Sequence, residues 1–438
     1  MSEQLCFILR YASIQLTYVT SHCSKISAAQ KIGELRQNPA DDVWKEQVDF
    51  KVTRGQCWHV VFAPDESYFA WISAPRKLLL VPWDRERNCI ASQLPSTLKE
   101  SRVDGGIVGG PRLRETITLT CQYPFLCVNF GISNKTVKQP TRTSWTRYDF
   151  ANVNVVATGH TNGRIRIWNL ETGAFLTELI SHRAAIRDLA FAPDGSLRLI
   201  SASLDKTLKG WDLHEDGNMF KTFIAHKEEA LWCTWSPNSK LLASTGNEKT
   251  VFVWGMDNYK LIRTLEGHSH NVVSCSFSPD GAVLATASWD TQVILWDPYL
   301  GVILYTLYHV HPPPSLIYAS GANSAWVRGV SYSKNGMNVV TVSDDHLIRF
   351  WNLMGDVDPE GIAGEDEDPL SCIYSPSGRC VAVGTDKFKV TFYSAPVEIP
   401  RLTHLARMAV RKVVLTQHVD ELEIPNSLKS YLKYKVWV

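Results

Sequence analysis

The chain has 438 residues, enough to bury a large core or to hold two or three ordinary domains. Hydrophobic residues make up 45% of it and charged residues 20%, which excludes a disordered chain. Lys+Arg at 45 against Asp+Glu at 44 leaves a net charge of +1 and excludes recruitment to nucleic acid or a membrane surface by bulk charge.

Residues 1–30 read as a mobile N-terminal extension. Leu5 to Val19 is apolar but broken by Arg10, Ser13, Gln15 and Thr17, and no run in the chain reaches the ~18 residues of a membrane span. Glu3 is the only acidic residue before Glu34, so a mitochondrial presequence is the alternative reading. The ten cysteines are scattered with no Cys-x-x-Cys pair. That points away from zinc and toward a reducing cytoplasm, with the nucleus as a second compartment.

From residue 31 to 395 the chain reads as repeated short strands. "CWHVVFAPDESYFAWIS…KLLLVPW" (Cys57 to Trp83) is the first copy, and "VNVVATGHTNGRIRIW" (Val153 to Trp168) ends the second. Residues 84–114, with Gly105, Gly106, Gly109, Gly110 and two prolines, read as a loop between them. The glycine run has no following Lys-Ser/Thr and is not a phosphate loop. Trp168, Trp211, Trp254 and Trp296 then follow at steps of 43, 43 and 42 residues, Trp351 after 55 and Tyr393 after 42. This period is that of a propeller, read as seven blades ending near 83, 168, 211, 254, 296, 351 and 393. In the third blade "IRDLAFAP" is the inner strand, with Ile186, Leu189 and Phe191 alternating, and Asp194-Gly195 turns into the next; Asp280-Gly281 repeats the turn.

Closing the ring needs a terminal strand, and "KIGELR" (Lys31 to Arg36) is the candidate. The long step before Trp351 contains "HVHPPPSLIYASGANSAW", a protruding, solvated loop in which His309 and His311 lack a third metal ligand. Asp356 to Asp368 holds seven carboxylates without calcium-loop spacing and reads as a solvated connector. No cofactor or metal is implied.

His182, Ser203, Asp205 and Trp211 recur as His268, Ser288, Asp290 and Trp296. A hydrolase does not need its triad twice, one blade apart. The recurrence reads instead as a buried network in which Asp accepts from His, His meets the hydroxyl and the hydroxyl meets the indole N–H. Glu248, Asn162 and Lys387 stand at the Asp position in blades four, two and seven, which should carry the network imperfectly. "GH" or "SH" followed by "WD", with Asp six before the Trp, resembles the WD-repeat family. That resemblance implies a protein-binding platform.

After Tyr393 the pattern changes. In "PRLTHLARMAVRKVV", Pro400 sits at the first turn of a helix; Leu402, Leu405, Ala409 and Val413 share one face, with Ala406 and Val410 beside them. Arg401, Arg407, Arg411 and Lys412 occupy much of the rest. "LEIP" (Leu422 to Pro425) follows, and Asn426 caps a second helix with Leu428, Tyr431 and Leu432 on its apolar side. A helical pair packed on the propeller is the plain reading. The segment 396–438 also resembles a SOCS box. That resemblance implies an elongin C groove, with elongin B, for Leu402, Leu405, Ala406 and Val410, and a cullin contact for Leu422, Ile424 and Pro425. Ala406 stands where the motif usually has Cys, a loss of on the order of 1 kcal/mol of burial. Glu423 stands where it has Pro, and bears on cullin choice.

With "KIGEL" and "GAN…WVR" (Gly321 to Arg328), the whole resembles the WD-repeat and SOCS-box-containing proteins. The fold expected is all-β, a seven-bladed WD-repeat propeller with a small C-terminal α-helical SOCS box. The function implied is a non-catalytic substrate-recognition subunit of an elongin–cullin–RING ubiquitin ligase, with cullin 5 in first place and an unknown target protein. A WD-repeat scaffold without ligase recruitment is the alternative. Trp58, Arg187 and Arg328 lie four residues before the inner-strand aromatics Phe62, Phe191 and Tyr332 and are the candidates for target binding.

Overall fold

The computed structural model describes residues 45–47, 57–86, 89–90, 115–133, 150, 153–309, 325–354, 359–365, 367–396 and 400–435. Seven antiparallel sheets make seven blades, their strands numbered β1 to β29 in chain order. Blade one runs β2 (Val60–Phe62), β3 (Tyr68–Ala74), β4 (Lys77–Asp84), with β6 (Ile117–Thr120) outside β4. The insertion read as loop falls between β4 and β6, and two of its residues, β5 (Cys89–Ile90), also pair with β4. The inner strands of the next six blades are β7 (Phe125–Gly131), β11 (Ile186–Phe191), β15 (Ala230–Trp235), β19 (Val272–Phe277), β23 (Val327–Tyr332) and β27 (Pro369–Tyr374). Each blade buries apolar residues on both faces against its neighbours, which is why the second strands read as unbroken buried runs such as Leu241–Gly246.

The ring closes with β1 (Lys45–Gln47), which pairs antiparallel with β29 (Val390–Ser394) in the register Lys45↔Tyr393 and Gln47↔Thr391. Lys31 to Arg36, the expected closing strand, lies outside the described residues. The acidic connector is corrected in part: β26 (Gly361–Gly364) is the fourth strand of blade six, and Glu365 behind it is buried, accepting from the Tyr393 hydroxyl.

The recurring polar network exists, with one correction. The hydroxyl is Ser201, not Ser203, and Thr286, not Ser288. His182 Nδ1 donates to Asp205 (2.7 Å), Nε2 meets Ser201 Oγ (2.7 Å), and Trp211 Nε1 donates to the same oxygen (2.9 Å). In blade five the His268–Asp290, His268–Thr286 and Trp296–Thr286 distances are all 2.8 Å. Residues two apart share a face of a strand, and the indole reaches the inner of the two hydroxyls. Ser203 and Ser288 sit at the strand ends, where each hydroxyl donates to a loop carbonyl and accepts from the Asp N–H two residues on.

In blade four Glu248 takes the Asp place toward the histidine, bound to His226 (2.6 Å), which reaches Ser244 and through it Trp254, while the backbone N–H bonds that Asp205 and Asp290 accept have no counterpart at its carboxylate among the described residues. Blade two substitutes His160 of its own second strand, on Thr158 with Trp168. Blade six uses His309, which is buried against Thr341 and Ser343 and is not on a solvated loop. His311 lies outside the described residues.

Thr286→Val strands the Trp296 N–H and the His268 ring nitrogen together. Its expected cost is about 2–3 kcal/mol in a urea unfolding midpoint, against about 1 kcal/mol for Ser288→Ala. Equal costs would contradict the assignment of Thr286.

Candidate protein-interaction sites

Two surfaces stand out, at opposite ends of the channel. The first is the C-terminal helical segment. Helix α1 (Leu402–Arg411) starts just after Pro400, a 3₁₀ turn spans Thr416–Glu421, and α2 (Asn426–Leu432) completes the unit. Pro425, not Asn426, precedes α2 as its cap, and no side chain caps that end.

The amphipathic pattern of α1 is laid down the reverse way from an ordinary surface helix. Its buried residues are His404, Arg407, Met408 and Arg411, the spacing of a single helix face. Leu402 is 58% exposed and Val413 65%, Ala406 is exposed, and Leu405, Ala409 and Val410 are half-buried. The charged side faces inward, where its histidine and the terminal nitrogens of its arginines find partners on the propeller and within the helical segment, while Nε of Arg407 and of Arg411 is buried without a hydrogen-bond acceptor among the described residues. His404 Nε2 donates to Asn335 O (2.8 Å) and Arg407 donates to His404 Nδ1 (3.0 Å). Burial, reinforced by the Arg407 charge, lowers the His404 pKa and keeps the ring neutral for that acceptor role.

The Arg407 guanidinium lies between the rings of Tyr431 and Tyr434, 4.4 and 4.0 Å from their centroids. Tyr434 is buried in the core of blades five and six, and its hydroxyl donates to Asp280. Met408 rests on Gly336, where φ is +69°, a conformation that favours glycine, and where a Cβ would stand 3.2 Å from the methionine, so a side chain there would have to push Met408 aside. Of the expected cullin-facing residues, Leu422 and Ile424 are half-buried and Pro425 is exposed.

The second surface is the channel mouth. In blades two to seven the inner strand carries a register shift at its second residue: Leu126, Arg187, Leu231, Val273, Arg328 and Leu370. A bulge re-aims the side chain it carries, and five of these six, with Trp58 from blade one, line a cavity of about 310 Å³. All seven stand four residues before an inner-strand aromatic, so the spacing that singled out Trp58, Arg187 and Arg328 also covers the four aliphatic members, which sequence reading missed.

Arg187 stacks on Trp58, 4.6 Å from its ring centroid. Burial draws its pKa below the ordinary value, against Asp188 and Glu229 nearby. Arg328 does not join them. It binds Asp344 through Nε and Nη2 (2.6 and 2.7 Å) and lies over Trp289 and Trp326, themselves stacked at 4.8 Å. Trp232 and Trp289 complete the wall. These tryptophans fall off the repeat period, and that was their one signal.

The mouth lies where the inner strands begin, whereas Asp280, Asn335 and Gly336, which hold the helical segment, follow where β19 and β23 end. The two surfaces are therefore on opposite faces, about 20 Å of strand apart. Among the described residues no group of three His, Cys, Asp or Glu is placed to hold a metal, and no helix is long and apolar enough to cross a membrane.

Comparison with known sequences agrees with both parts. The family described as WD domain, G-beta repeat matches residues 173–212, 217–255, 259–297 and 314–352, and the SOCS box family matches 398–433. WD repeat and SOCS box-containing protein 1 of Homo sapiens is 46% identical over 393 residues, covering 86% of this chain and 91% of that protein. Its Danio rerio counterpart is 43% identical over 426 residues, 94% and 97% of the two chains. Nuclear distribution protein PAC1 of Tuber melanosporum is 35% identical over 129 residues, 29% of this chain.

Proposed function

We propose that this chain, which belongs to the family of WD repeat and SOCS box-containing proteins, is the substrate-recognition subunit of an elongin–cullin–RING ubiquitin ligase. It is a non-catalytic adaptor. A target held on the propeller is brought close to a conjugating enzyme carried by other subunits, so the rate gain is one of proximity. The observation that carries this reading is the outward-turned apolar side of α1, with Leu402 58% exposed on a helix whose charged side is buried. A helix seats such a face in a partner's groove.

On this reading Leu402, Leu405, Ala406 and Val410 enter elongin C, which is bound to elongin B. Leu422, Ile424 and Pro425 meet a cullin that carries the RING protein. The target sits at the mouth formed by Trp58, Arg187 and Arg328, and the complex works in the cytoplasm and nucleus. The boundaries are 31–395 for the propeller and 396–438 for the SOCS box, with 1–30 an extension.

The test is reconstitution: the full chain purified with elongins B and C, then presented to a panel of cullins. Cullin 5 is the expected partner. Failure to retain the elongins would leave a WD-repeat scaffold. Glu423→Pro is expected to tighten cullin binding about two- to fivefold, the effect of ~0.4–1 kcal/mol of chain preorganisation. Leu422 is already extended (φ −71°, ψ 135°), as a residue before proline must be, and the Glu423 N–H enters no backbone hydrogen bond among the described residues. Unchanged or weaker binding would show that position 423 does not set cullin affinity.

A further inference from the structure

We propose that the ring of bulge residues at the channel mouth takes one bulky apolar side chain of the target, while Arg187 receives a neutral carbonyl oxygen from the same segment. The inference rests on the ligase reading and names what the propeller recognises.

The six bulge residues are two Arg and four aliphatic residues, all but Leu126 lining the cavity, and Trp58 of blade one joins them there. Arg328 is already neutralised by two hydrogen bonds to Asp344. Arg187 is different. Among the described residues its guanidinium donates no hydrogen bond and forms no ion pair; its neighbour is the face of Trp58. A half-buried guanidinium has five N–H donors, and those that open on the cavity can exchange water for a ligand oxygen. It is therefore poised for an acceptor from outside.

A carboxylate or phosphate is disfavoured as that acceptor. Glu229 also lines the cavity, and Asp188 lies beside Arg187 on the same strand. Glu229 keeps its charge in place through a 2.6 Å bond from Asn247. With Asp344 cancelling Arg328, the mouth carries no net positive charge to draw an anion. Leu204, Leu231, Trp232, Val273, Trp289 and Leu370 supply an apolar wall. About 310 Å³ is the space of roughly ten waters, at the lower end for ligand pockets, and suits one large side chain with its flanking backbone.

The experiment is selection of short peptides, randomised at every position, by the full chain purified with elongins B and C. Trp, Phe, Leu or Met should dominate a single position. Val273→Asp should weaken the selected peptide about ten- to a hundredfold, as expected for loss of one apolar anchor, and Arg187→Gln about fivefold to tenfold. Enrichment of Asp, Glu or phosphorylated residues, no enrichment at all, or affinity unchanged by Val273→Asp would each overturn the proposal. Elongin retention, measured on the same preparations, reports the SOCS box on the opposite face and separates this failure from failure of the ligase reading.

Discussion

Leu402→Asp is expected to abolish retention of elongins B and C by the full chain while leaving its urea unfolding midpoint within about 0.5 kcal/mol of wild type, as for other surface changes. The asymmetry follows from where the side chain lies. Leu402 is the first residue of α1 and 58% exposed, so replacing it opens no cavity in this molecule. A carboxylate in the first turn of a helix is favoured by the helix dipole, which preserves α1. In a partner's apolar groove the same change loses about 2–3 kcal/mol of burial and adds several more for an unpaired charge. Together these exceed the ~4 kcal/mol that corresponds to a thousandfold. Leu402→Ala, which loses only the burial, should weaken retention about ten- to a hundredfold. Retention by the Asp variant would mean the elongins dock elsewhere, and a large fall in its unfolding midpoint would mean Leu402 serves the chain's own fold.

The blade count was readable from sequence because the propeller repeats one burial problem seven times, and a large aromatic, tryptophan in six blades and Tyr393 in the seventh, returns at each. The network hydroxyl was misplaced by two residues because Ser201 and Ser203 share a strand face, and only the depth of Trp211 decides between them. His309 was hidden for a different reason: its proline-rich surroundings announce a loop, while its own last contact is with the buried Thr341. The three residues of β1 carry no pattern by which a closing strand could be recognised.

Helix α1 is the instructive case. Periodicity separates two faces, and the usual expectation puts the apolar one inside. Here Arg407 and Arg411 go inside because the Tyr431 and Tyr434 rings, Thr416 and the Val414 carbonyl hold them there, and the apolar face is left turned outward. The four aliphatic members of the mouth ring were missed because only the charged and aromatic ones look functional in a sequence. The bulge that groups all six of blades two to seven is a property of strand register.

Acid should destabilise the propeller in a window well above the carboxylate range, because burial lowers the pKa of His160, His182, His309 and His404, and the two with the largest shifts, His160 and His309, contribute most. Burial is the main cause in both: it lowers the His160 pKa to about 4 and that of His309 to about 3, with Arg166 and Arg349 adding repulsion. An unfolded chain protonates each imidazole near pH 6.5, while the folded chain keeps both neutral until far lower pH. The unfolded state therefore binds more protons, and stability falls as pH falls below about 6.5, by about 1.4 kcal/mol per pH unit for each histidine. From pH 6.5 to 5 that is about 2 kcal/mol each and about 4 kcal/mol together, a large part of the usual 5–15 kcal/mol of a folded protein.

Asp205 and Asp290 do not contribute in this window. Despite desolvation that raises their pKa values, hydrogen bonds from His182 and His268 hold them below the ordinary carboxylate range, so their share is lost only in stronger acid. The double variant His160→Gln, His309→Gln removes both titrations. The measurement is the difference in unfolding free energy between pH 7 and pH 5, which should shrink by about 4 kcal/mol relative to wild type. A difference as large as that of the wild type would place the acid sensitivity in other groups and show that these two imidazoles already exchange protons in the folded propeller.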